Sequence, residues 1–105
     1  MDIENMKFEL PQKNRYTIYS KSGCPNCSNV KTFLKSKNLI FNVVDCDEYL
    51  IEAKTEFLEF IKNLSQKECK IFPIIFYDEK YIGGYNETKD YVEKTLLAFE
   101  ENFTF

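Results

Sequence analysis

Apolar and polar positions alternate along this 105-residue chain in runs that change period several times. Residues 15–20, RYTIYS, alternate strictly and are rich in aromatic and β-branched side chains, so they predict a strand. Cys27, Val30, Phe33 and Leu34 then recur at helical spacing, one stripe of a helix that ends near Asn38. Residues 39–46, LIFNVVDC, form a second apolar run and predict a strand. Ala53, Phe57, Phe60, Ile61 and Leu64 mark an amphipathic helix over 52–64. Residues 71–77, IFPIIFY, predict a third strand, and 78–80, DEK, a hairpin turn into a short fourth around Tyr81 and Ile82. A last helix is expected to open near Asn86 or Thr88 and to turn Val92, Leu96 and Phe99 to the core. Residues 1–14 carry Pro11 and little periodicity, an extended or loosely helical lead-in to a domain over 15–105.

The order is β-α-β-α-β-β-α. A βαβ unit imposes a right-handed crossover and parallel pairing, whereas the terminal hairpin must be antiparallel. The class is therefore α/β: a four-stranded mixed sheet flanked by three helices.

Length allows one core and no second. The chain is 44% hydrophobic and 30% charged, which argues against disorder. A net charge of −3 offers no footprint for nucleic acid or an anionic membrane. No apolar run approaches the roughly 18 residues that span a bilayer, so no membrane partner is expected. The polar, acidic start, MDIENMKFEL, is unlike a secretion signal, and a reducing, cytoplasmic setting is the expectation. A monomer is expected. In such a compartment two cysteines two residues apart read as catalytic or metal-binding before they read as a permanent staple.

Those cysteines lie in Lys21–Val30, KSGCPNCSNV. A zinc site would need four ligands, and without histidine it would draw on the isolated Cys46 and Cys69 or on carboxylates. A staple from Cys24 to Cys27 would close a very small loop and remove little chain entropy. A redox pair is the favoured reading. Exchange needs a thiolate, and an unperturbed cysteine is only about 3% ionised at pH 7. Pro25 suits the first position of a helix, which puts Cys24 at its N-terminal edge, where unpaired amides stabilise an anion. Lys21 adds a nearby cation, although by itself it reads equally as a solvated charge. Cys24, nearer the terminus, is expected to be the nucleophile, and Cys27, on the apolar stripe, the resolving thiol.

Pro73 falls inside an expected strand, where it cannot donate to the ladder. Either the strand is an edge or its boundary is misplaced, or a cis Phe72–Pro73 bond turns the backbone toward the cysteines. The cis bond would leave the Phe72 main chain free to pair with an extended substrate. Gly83-Gly84 could end the hairpin. Equally, they could admit a ligand to the amides of Tyr85 and Asn86 at a helix start.

KSGCPNC, KIFP and YIGGYNET, in this order and after these elements, resemble a dithiol glutaredoxin of the thioredoxin-like fold over roughly residues 15–100. The resemblance implies glutathione-dependent reduction of protein disulfides and of protein–glutathione mixed disulfides, with glutathione as co-substrate and no bound metal. By position, Cys24 would attack and hold glutathione, Cys27 would resolve, and Lys21 would attract the glycyl carboxylate. Phe72, beside Pro73, would pair with the cysteinyl unit, while Gly84, Tyr85 and Asn86 would receive the γ-glutamyl end. Asn26 stands where tyrosine is common, Ile71-Phe72 where threonine-valine is usual, and Asn86 where aspartate is frequent. These departures bear on glutathione affinity and substrate preference more than on reaction class. The alternative is a dimer bridging an iron–sulfur cluster through Cys24 and glutathione. Cys46 and Cys69 match no catalytic element and read as core thiols, with a regulatory disulfide as the lesser reading.

Overall fold

A computed structural model describes residues 8–103, with side chains placed through 97. Chain order is β1 (Tyr16–Ser20), α1 (Pro25–Ser36), β2 (Phe41–Asp45), α2 (Asp47–Glu52), α3 (Lys54–Ser65), β3 (Ile74–Tyr77), β4 (Lys80–Gly83) and α4 (Tyr85–Phe103). The sheet order is β2-β1-β3-β4. β1 and β2 are parallel, with Ile18 opposite Val43, and the other pairs are antiparallel, with Ile18 also opposite Ile75. The first crossover and the terminal hairpin thus pair as their connections require.

Strand alternation divides the core between the two faces of the sheet. Tyr16, Ile18 and Ile75 pack with Val30 and Leu34 of α1 and Val92 of α4. Tyr19, Ile74 and Phe76 pack on the other face with Phe57 and Ile61 of α3. Cys27, although on α1, belongs to this second cluster, so the start of α1 sits at the rim between the faces. Val92 and Leu96 of α4 pack as expected; the side chain of Phe99 lies outside the described residues. Of the lead-in, residues 1–7 lie outside the description, and 8–14 form no helix or strand. Phe8 nevertheless packs its ring against Tyr49, Phe57 and Phe60 at centroid distances of 4.9, 5.4 and 5.2 Å. The Tyr19 hydroxyl donates to the Glu9 carbonyl at 2.5 Å.

Two expectations need correction. The helix expected over 52–64 is α3, but a short unexpected helix, α2, precedes it, which makes four in all. Ala53, buried with φ −147° and ψ 47°, breaks the helical path between them. Upstream, the Asp45 carboxylate accepts the Asp47 amide at 3.0 Å, and Asp47 and Glu48 put negative charge in the first turn. Periodicity alone does not register this local cap. Secondly, β3 begins at Ile74, so Pro73 precedes the strand instead of interrupting it. A residue without an amide proton marks where the ladder starts. α4 begins at Tyr85, next to the expected Asn86, and Glu87 caps it in the way described below. No helix among the described residues is long and apolar enough to cross a membrane.

Candidate functional site

β1 delivers the chain at its carboxyl end to Lys21, Ser22 and Gly23. Gly23 adopts φ 70°, a left-handed turn that suits glycine. This loop is tied down by a residue that sequence reasoning missed. Asp47, at the start of α2, accepts the Ser22 amide at 2.9 Å through Oδ1 and the Ser22 hydroxyl through Oδ2. Those two hydrogen bonds, helped by the charge of Lys21, hold the Asp47 carboxyl below its usual range. A usable signal existed in the parallel register: Ser20 pairs with Asp45, so residues just beyond each must be neighbours.

Cys24 is the N-cap of α1, in extended geometry, and Pro25 occupies the first helical position. Its sulfur accepts the Cys27 amide at 3.1 Å, a first-turn donor that is shared with the Cys24 carbonyl, also at 3.1 Å. Cys24 is half-buried, Cys27 is 1% exposed, and the two are joined as a disulfide with Cα atoms 5.3 Å apart. Cys24 is thus the more accessible of the two sulfurs. Cys24, Cys27 and Lys21 line one polar recess, with Ser28 and Lys31.

A groove of about 330 Å³ is lined by Asn26, two residues beyond Cys24, and by Phe72, Pro73, Gly84, Tyr85 and Asn86. Six sequence-predicted residues thus come together from three separate stretches of chain. The Phe72–Pro73 bond is cis, as expected. Cys24 packs against the cluster to which Phe72 belongs. Lys21 does not line this groove; its Nζ lies 5.5 Å from the centroid of the Phe72 ring and faces an adjoining cavity. Ile71 stands 85% exposed at the groove's edge.

Gly83 and Gly84 are explained by Glu87, whose capping role sequence reasoning missed. The Gly84 amide donates to Glu87 Oε1 at 2.8 Å, closing the N-terminus of α4. A Cβ on Gly83, at φ 137°, would meet Glu87 Cβ at 2.7 Å, and one on Gly84 would meet Glu87 Oε1 at 3.2 Å. The pair gives room to a neighbouring side chain of this chain. The signal was a glycine followed three residues later by glutamate, a capping pattern.

Cys46 and Cys69 are free and buried. Burial pushes the Cys46 thiol up to about 12. Cys69 contacts the Ser65 hydroxyl at 3.5 Å, and the Tyr81 hydroxyl is raised by burial and by its hydrogen bond with Cys69. Among the described residues no three His, Cys, Asp or Glu side chains are grouped so as to hold a metal.

A four-stranded mixed sheet between helical layers, with a CxxC pair at the first strand–helix junction and a cis-proline before the third strand, defines a thioredoxin-like domain. The glutaredoxin family model matches residues 16–82, well over half of the chain. This chain belongs to the glutaredoxin family, and its Cys24–Cys27 pair is of the dithiol kind. Glutaredoxin 1 of Rickettsia felis is 33% identical over 67 residues, covering 64% of this chain and 61% of that protein. The match therefore spans about three fifths of that relative's length. Glutaredoxin 1 of Escherichia coli K12 is 29% identical over 84 residues, covering 77% of this chain and 95% of that one. Among solved structures, glutaredoxin 1 of Francisella tularensis, complexed with cacodylate, superposes with a TM-score of 0.67 at 27% identity. It covers 78% of this chain and 95% of that chain.

Proposed function

We propose that this chain is a glutathione-dependent thiol–disulfide oxidoreductase that reduces protein disulfides and protein–glutathione mixed disulfides. The observation that carries this reading is the accessible Cys24 sulfur at the N-cap of α1, accepting a helix amide beside the cis-proline groove. An amide that donates to this sulfur favours its anionic form and so its nucleophilicity.

In the reduced protein the Cys24 thiolate attacks one sulfur of a substrate disulfide. A Cys24–substrate bond forms and the other substrate sulfur leaves as a thiolate. Cys27 gives up its proton and attacks Cys24 Sγ; the substrate's second thiolate leaves and the Cys24–Cys27 disulfide remains. Two electrons have passed from the protein to the substrate. One glutathione thiolate then opens this disulfide onto Cys24, and a second takes the bound glutathione away as glutathione disulfide. On a glutathionylated protein, Cys24 alone suffices: it takes the glutathionyl group and a free glutathione removes it.

Glutathione fits the groove in an extended pose. Its cysteinyl main chain meets Phe72 next to Pro73, its glycyl carboxylate faces Lys21, and its γ-glutamyl end approaches Tyr85 and Asn86. A reducing, cytoplasmic setting and a monomer suit this cycle. Nothing in the groove favours the cluster-bridging dimer over exchange. The test is NADPH consumption in the presence of glutathione, glutathione reductase and a small mixed-disulfide substrate. Turnover that disappears in Cys24→Ser supports the reading, and no turnover by the intact protein overturns it.

A further inference from the structure

Phe72 is shared between the groove and a second cavity of about 370 Å³, whose other lining residues are Lys21, Leu50, Lys54, Leu58 and Lys70. Its composition is unlike the rest of the molecule. The chain as a whole carries −3, yet three lysines and no carboxylate line this cavity. The Asp47 carboxylate beside Lys21 is engaged by the amide and hydroxyl of Ser22. The floor is apolar: Leu50 and Leu58 are partly buried against the core cluster that contains Phe72.

We propose that this cavity is a specificity site for protein substrates whose cysteine is followed by an apolar residue and then an acidic one. The inference rests on the proposed glutathione pose, which directs the residue after the bound cysteine toward Lys21. In glutathione that residue is glycine. Its carboxylate can meet a lysine, but with no side chain it leaves Leu50 and Leu58 uncovered. A peptide with a leucine-sized residue there covers that floor, and an acidic residue next in sequence falls among Lys21, Lys54 and Lys70. Apolar burial adds affinity in proportion to area, and the cluster of like charges discriminates by sign.

The experiment uses the full chain carrying Cys27→Ser, loaded with glutathione on Cys24, and three peptides: acetyl-Gly-Cys-Leu-Glu-amide, acetyl-Gly-Cys-Leu-Lys-amide and acetyl-Gly-Cys-Gly-Glu-amide. The peptide thiolate attacks Cys24 Sγ, a Cys24–peptide disulfide forms and glutathione thiolate leaves, with no net oxidation. Each equilibrium constant is divided by that of the same peptide exchanging with glutathione disulfide in solution, which removes intrinsic thiol differences. The Leu-Glu peptide should exceed the Leu-Lys peptide by about ten-fold at low salt and the Leu-less peptide by about five-fold. The charge preference should shrink as salt rises, and Lys54→Glu should reverse or abolish it. Equal constants for the three peptides, or a ranking unmoved by both salt and Lys54→Glu, would overturn the proposal while leaving glutathione chemistry standing. Failure of Cys24 to take up glutathione at all would overturn the underlying pose and the proposal with it.

Discussion

The Gly84 amide and the Glu87 carboxylate are joined at 2.8 Å, so one acidic side chain both starts α4 and lies across the two glycines before it. Gly83→Ala should be costly, since φ 137° disfavours any side chain and the new Cβ would sit 2.7 Å from Glu87 Cβ. A loss of about 2–4 kcal/mol in urea unfolding is expected. Gly84→Ala presses only on a movable carboxylate oxygen and should cost about 1 kcal/mol, the value of a lost cap. Similar losses for the two would show that Glu87 does not set the requirement.

The two motif cysteines should fail differently. Cys24→Ser removes the accessible sulfur and should abolish turnover on every disulfide. Cys27→Ser changes a residue that is 1% exposed, and should retain activity on glutathione mixed disulfides while losing efficient reduction of substrates that need two thiols. Steady-state rates on the two substrate types check this; equal loss on the mixed disulfide would show the roles to be misassigned.

Lys21 reaches over the Phe72 ring, with its Nζ 5.5 Å from the ring centroid. Helix amides, more than this ammonium, should therefore activate Cys24. In the reduced Cys27→Ser protein, iodoacetamide should modify Cys24 at neutral pH faster than it modifies free cysteine. Lys21→Ala should slow that reaction by less than about three-fold, in keeping with the small worth of an exposed charge pair. Modification sites read by mass spectrometry separate Cys24 from the buried Cys46 and Cys69. A fall of ten-fold or more would move the activating role to Lys21.

Asp47 makes stability depend on acid. Its folded carboxyl ionises below the unfolded value of about 3.9, so its contribution is fully present above that pH and is lost as pH falls through the lower, folded value. Asp47→Asn should therefore be less stable than the parent at neutral pH, with the gap narrowing below about pH 4. Urea midpoints across that range measure it. A gap that is constant with pH would mean that charge on Asp47 is irrelevant to the Ser22 loop.

Strands and most helices were legible because each buries one face at a fixed period, as Ile18 and Tyr19 do on opposite sides of β1. The break at Ala53 was not. It is a local backbone turn, and the short helix before it starts where the Asp45 side chain accepts the Asp47 amide; neither disturbs the run of apolar residues. Cys24, Cys27 and Pro73 could be found because proline and paired cysteines restrict what a chain can do locally. Asp47 stayed hidden because its partner Ser22 is 25 residues away, and the contact exists only once β1 and β2 lie side by side. Glu87 was visible as a residue but not as a cap, since a free γ-carboxylate and a bonded one look alike in sequence.

The ring of Phe8, wedged among Tyr49, Phe57 and Phe60, sets a practical limit on how the protein can be shortened. A fragment starting at Arg15 keeps every strand and both motif cysteines, yet bares the rings over α3 and leaves the Tyr19 hydroxyl without the Glu9 carbonyl. Such a fragment would present a sticky aromatic patch to its neighbours and would tend to precipitate at concentrations where the parent stays clear. Recombinant versions, crystallisation trials and fusion junctions should accordingly begin at or before residue 8, leaving this plug in place.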